Sequence, residues 1–150
     1  MKHVIFLVCL LSLSSMVQAD SLWSGTWVLS ENAPGGRLTM TVEEVGTGWK
    51  LTHEVIGPTA AASTVSTVLT TLDGKEVPVL VNGRSSGQTM RIRKIDSHHT
   101  VAIMLSQGKG KFVSKSEISP DGKVFTVETD YTTSNPIGRA RTQIEYWNRQ

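Results

Sequence analysis

The chain is cut at close, regular intervals by residues that fold a backbone back on itself, and between the cuts its apolar residues recur at every second position. "NAPGG" (32–36), "GTG" (46–48), "GP" (57–58), "DGK" (73–75), "NGRSSG" (82–87), "DSH" (96–98), "QGKG" (107–110), "SPDG" (119–122) and "SNPIG" (134–138) divide it into ten pieces. A spacing of about a dozen residues is the rhythm of an all-β sandwich or barrel. "SPDG" is the sharpest of these signals: Pro120 suits the second position of a type I turn, and Gly122 supplies the left-handed residue after it. The repeated Asp-Gly-Lys is recurring turn chemistry and not an internal repeat, since the segments on either side of its two copies are unlike.

Within the pieces the period is two. In "RLTMTVEEV" (37–45), Leu38, Met40 and Val42 share one face, with Thr39, Thr41 and Glu43 on the other. In "WKLTHEV", Trp49, Leu51, His53 and Val55 lie opposite Lys50, Thr52 and Glu54. Val101, Ile103 and Leu105 are grouped in the same way, as are Phe125, Val127 and Tyr131. One dry face and one wet face is the antiparallel pattern. No stretch of the mature chain keeps helical spacing over three turns.

Short sequential turns favour a meander, and a meander of this length closes into a barrel, which removes its edges. The expected fold is an all-β, antiparallel up-and-down β-barrel of about 8–10 strands. The alternative is a β-sandwich, which more often needs long crossovers; here no connection exceeds about six residues.

The first nineteen residues read as a leader. Lys2 and His3 precede the apolar run "VIFLVCLLSL" (4–13), and Val17-Gln18-Ala19 offers small residues where a signal peptidase cuts. The run is shorter than the ~20 apolar residues of a spanning helix. The expected organisation is a cleaved signal peptide, 1–19, and a single domain, 20–150. Cys9, the chain's one cysteine, would leave with the leader, and it lies too early in the apolar run for a lipid anchor. Export without disulfides points to a bacterial periplasm or exterior. Losing Lys2 takes the 15 Lys and Arg to 14, against 13 Asp and Glu. So balanced a charge argues against a nucleic-acid or anionic-membrane partner.

Gly25-Thr26-Trp27, opening the first alternating strand, resembles the Gly-x-Trp motif of lipocalins and related calycin barrels. "DGKEVPVLVNG", "TMRIRKID", "SPDGKVFTVE" and the terminal "EYW" extend the likeness over most of 23–150, toward exported bacterial lipocalin-like proteins of uncharacterised function. The resemblance implies that Trp27, with Gly25 before it, plugs one end of the barrel. It also implies that a basic side chain from near the C-terminus packs across the indole; Arg139, Arg141 and Arg149 are the candidates. The Thr-Asp-Tyr type motif and C-terminal helix of full lipocalins are absent, as is the helical lid of fatty-acid-binding barrels.

Among polar residues His53 stands out, because alternation turns it inward beside Trp49 and Leu51. It either hydrogen-bonds a ligand, or holds an iron as in haem-binding calycins, or is a core histidine satisfied by hydroxyls such as Ser114 and Ser116. Met40, Met90 and Met104 offer an adaptable lining, or simply fill core gaps. Arg91 and Arg93 oppose Met90 and Ile92 and so point outward, which removes a carboxylate clamp of the fatty-acid-binding kind. Glu43 and Glu54 lie on polar faces, so with Glu44 they form no acid–base pair. His98-His99 is read as a solvated turn, since adjacent strand residues face opposite ways. No nucleophile elbow, phosphate loop or zinc motif occurs.

The expected function is therefore non-enzymatic binding of a small apolar or amphipathic ligand, with Trp49, His53, Tyr131 and Met40 as contacts and no metal or cofactor. The alternative is a structural or interaction barrel with a packed interior. An interior volume of several hundred Å3 separates the two. Ligand identity and oligomeric state are beyond the sequence.

Overall fold

The computed structural model describes residues 21–30, 36–57, 63–131 and 142–150. Ten strands follow in chain order: β1 (Gly25–Leu29), β2 (Arg37–Val45), β3 (Gly48–Ile56), β4 (Thr64–Thr70), β5 (Asp73–Val81), β6 (Arg84–Lys94), β7 (His99–Ser106), β8 (Lys109–Ile118), β9 (Val124–Asp130) and β10 (Thr142–Arg149). Each pairs antiparallel with the next, and β10 returns to β1, so the sheet closes as an up-and-down barrel. The sandwich alternative is excluded by that closure. Ten strands is the top of the expected range, and a wider ring leaves more interior than the eight of a lipocalin. The leader, Cys9, Arg139, Arg141 and the turn "SNPIG" lie outside the described residues, as do most of "NAPGG" and half of "GP".

Turn chemistry explains the sharp reversals. Asn82 and Gly83 have φ of 50° and 75°, and Gln107 and Gly108 have 52° and 72°. Two left-handed residues in succession make the tight turn whose twist matches a hairpin. In "SPDG" the Gly122 amide donates to the Ser119 carbonyl at 2.8 Å, with Gly122 at φ 67°.

One expected turn is displaced. The chain reverses at Thr71-Leu72, with Leu72 itself at φ 62°, and "DGK" is already the start of β5. The Thr70 hydroxyl accepts the Leu72 amide at 3.1 Å, and Asp73 accepts both the Thr71 hydroxyl and the Lys75 amide. These side-chain bonds fix the turn two residues early. Gly74, at φ 84°, then serves a register shift between β5 and β6. The β4–β5 seam is the sparsest in the wall, with paired positions only at Ser66–Val81 and Thr67–Leu80. Pro78, which has no amide to give, lies on β5 beyond them.

The β7 face is also opposite to expectation. Thr100, Ala102 and Met104 point inward, and Val101 and Ile103 do not. Register decides it: Ala102 pairs with Ile92 and Met104 with Met90, and directly opposed residues share a face. Both faces of β7 are apolar, so alternation alone carried no direction. A register shift after Met104 then buries Leu105. On β3 the inward run ends at His53, because Val55, in the same phase, is 39% exposed near the strand's end.

Outside, ion pairs join Glu43 to Lys50, Asp73 to Lys75 and Glu76 to Arg91. An apolar interior beneath a charged exterior is the reverse of a barrel built for lipid. Among the described residues no helix is long and apolar enough to cross a membrane.

Candidate ligand-binding site

The interior has two parts. At the end carrying the turns 46–47, 71–72, 96–98 and 119–123, aromatic side chains close the barrel. Trp27 is fully buried, and Phe125 meets it edge-on at 4.9 Å between centroids. Phe125 also stacks on Trp147 at 5.7 Å and lies 5.9 Å from Trp23, which in turn reaches Trp49 at 5.4 Å. The polar edges of this floor are tied to backbone: Trp27 Nε1 donates to the Trp23 carbonyl and Trp23 Nε1 to that of Ser97.

Arg149 crosses beneath the plug. Its guanidinium carbon lies 4.4 Å from the Trp27 ring centroid, and its nitrogens donate to the carbonyls of Gly122, Ser24 and Leu22. Gly25 is required for this approach. Its φ is 135°, and a Cβ there would lie 2.8 Å from Arg149 Nη1. The glycine two residues before the tryptophan thus makes room for the arginine that closes the floor.

Above the floor is a cavity of about 340 Å3. Met40, Met90, Met104, Val68, Val79 and Ile92 supply apolar wall. Trp49, His53, Tyr131 and Met40 all line this space, so the four expected contacts are brought together. Tyr131 packs its ring on Phe112 at 5.4 Å. Gly25 and Trp27 belong to the floor beneath.

His53 projects from the middle of β3, paired with Met40 and Ser66 on either side. Its ring lies 6.1 Å from Trp147. Burial in this apolar wall pushes its pKa down from 6.5 to about 4, so the imidazole is neutral at pH 7. One nitrogen then donates and the other accepts. Neither has a hydrogen-bond partner among the described residues. Neither hydroxyl expected to satisfy it does so: Ser114 bonds Thr129 at 2.8 Å, and Ser116 lines the cavity without a bond to the ring. His53 is a neutral donor and acceptor facing a mainly apolar cavity whose wall also carries Ser66, Gln88 and Ser116.

Other singled-out residues lie outside. Arg91 is held by Glu76 at 2.8 Å on the outer face, and Arg93 is exposed. His99 Nδ1 is 2.8 Å from Asp96, and His98 Nδ1 is 2.9 Å from the Ser97 hydroxyl. Among the described residues no three His, Cys, Asp or Glu come together as a metal site.

Sequence reasoning passed over three residues. Trp147 and Glu145 line the cavity in phase with Arg149, so placing Arg149 inward would have revealed them. Trp23 precedes the first strand and has no periodic signal. No known protein family, curated protein or solved structure matches this chain.

Proposed function

We propose that this chain is an exported, lipocalin-like binding protein of bacterial type that carries a small apolar or amphipathic molecule in its barrel and performs no chemistry on it. The observation that carries the reading is the roughly 340 Å3 cavity, walled by apolar side chains and containing one unpartnered neutral imidazole. Ligand sites are largely apolar concavities with a few oriented polar groups. A catalytic reading would want His53 beside a hydroxyl as its base; it hydrogen-bonds none of the hydroxyls around it.

Energetics define the anchor. A ligand burying about 300 Å2 of apolar surface gains about 7 kcal/mol, at ~25 cal/mol per Å2. Association costs at least about 4 kcal/mol of that. Apolar contact alone therefore gives millimolar binding or weaker. A hydrogen bond to the half-buried imidazole adds about 0.5–1.5 kcal/mol.

A lipophilic fluorophore should bind saturably with a Kd on the order of hundreds of micromolar, quenching the lumenal tryptophans Trp23, Trp49 and Trp147. His53→Phe should weaken binding about tenfold and leave the far-ultraviolet circular dichroism unchanged. Absence of saturable binding across apolar probes, fatty acids and haem would replace this reading with that of a packed interaction barrel.

A further inference from the structure

We infer that the molecule held in this lumen carries a positive charge, and that Glu145 is the residue that selects it. This deepens the carrier reading and rests on it.

Glu145 lines the cavity from β10, half-buried, two residues above Trp147. Its Oε2 accepts the Trp147 indole N–H at 3.3 Å, and its Oε1 accepts the Gln143 amide at 3.0 Å. Both donors are neutral. A carboxylate offers about four lone-pair sites, so half of its accepting capacity is unused. Among the described residues lining the cavity, no Lys or Arg is present and His53 is neutral, so Glu145 supplies the only charge. Arg91 is committed to Glu76 outside, and Arg149 to the floor carbonyls.

Half-buried Glu145 has no charged partner among the described residues lining the cavity, and a ligand that brings the cation supplies what the fold withholds. The surroundings favour the same charge. Trp147, Tyr131, Phe112 and Phe125 present aromatic surface to the same space, and ring faces attract ammonium groups. A carboxylate ligand would meet Glu145 with like charge and find no arginine among the described residues lining the cavity. The ligand class is an alkylammonium or quaternary-ammonium amphiphile.

Three probes of one chain length separate the outcomes: decyltrimethylammonium, decanol and decanoate, each below its micelle concentration, displacing a bound lipophilic fluorophore. The wild-type protein should take the ammonium about tenfold more tightly than the alcohol, with decanoate weakest. Glu145→Gln, which preserves shape and one of the two accepted hydrogen bonds, should remove that tenfold and leave decanol unchanged. Glu145→Asp should retain the preference. Equal affinity for ammonium and alcohol in the wild type, or an ammonium affinity indifferent to Glu145→Gln, would overturn the inference while the carrier reading stood. Displacement by none of the three would remove both. The wild-type ranking holds as a test whether or not a variant folds.

Discussion

The floor of the barrel and the lumen above it are built from the same kinds of residue, yet they differ in how their polar atoms are satisfied. In the floor, the indole N–H groups of Trp23 and Trp27 and the Arg149 guanidinium all end on backbone carbonyls. Among the described residues, only the Ser24 hydroxyl is buried there without a partner. In the lumen, among the same residues, His53 has no hydrogen-bond partner and Glu145 has neutral donors only. Satisfied networks in low dielectric rigidify, whereas unsatisfied groups cost stability until something pairs with them. The floor spends its interactions on closure. The lumen holds some in reserve for a guest, the kind of local inconsistency expected at functional sites.

That contrast can be broken most directly by truncation. Trp27→Ala should cost about 3–5 kcal/mol in urea unfolding, because it empties a fully packed site. Met104→Ala, beside an existing cavity, should cost under about 2 kcal/mol, since its side chain is only partly buried. Equal costs would mean that floor and lumen are not energetically distinct.

Acid should weaken the lumen through His53. Its folded pKa, about 4, lies below the ordinary 6.5, so the unfolded chain takes up the proton first. Stability should therefore fall as pH drops from about 6.5 to 4, by on the order of 3 kcal/mol, and this contribution should change no further below that. Asp96 and Asp121, held below the carboxylate range chiefly by a backbone amide and the Ser119 hydroxyl respectively, lose their contributions at lower pH. Subtracting the profile of His53→Phe isolates the histidine. Parallel profiles for the two proteins would show that the imidazole is solvated and not confined.

A smaller effect than that of acid should come from the closing arginine. Arg149→Lys keeps the charge, but one ammonium cannot span the carbonyls of Leu22, Ser24 and Gly122. The expected loss is about 2 kcal/mol. Ligand affinity should be unchanged, because Arg149 does not line the cavity. A loss of affinity equal to the loss of stability would join floor and lumen into one unit.

Much of the architecture was readable from local residue order. Turn residues marked the reversals at 46–47, 82–83, 96–98, 107–108 and 119–122, and alternation placed Met40, Trp49 and His53 on the inner wall because each stands among polar neighbours of opposite phase. Legibility failed where that contrast failed. On β7 both faces are apolar, and only pairing with Met90 and Ile92 turned Thr100, Ala102 and Met104 inward. At Thr71-Leu72 side-chain hydrogen bonds outweighed the Asp-Gly signal two residues on.

The candidate site divides along the same line. Sequence by itself determined an all-β meander, a Gly-x-Trp opening and an inward histidine, because these depend on φ preferences and on the two-residue period of a strand. Only the tertiary structure decided that the ring closes at ten strands, that a void of about 340 Å3 remains, and that neither Ser114 nor Ser116 bonds His53. It also decided that Glu145 meets no cation in the lumen among the described residues. Closure, register and cross-barrel pairing join residues from distant strands, and no local pattern encodes which side chain will find a partner across the ring.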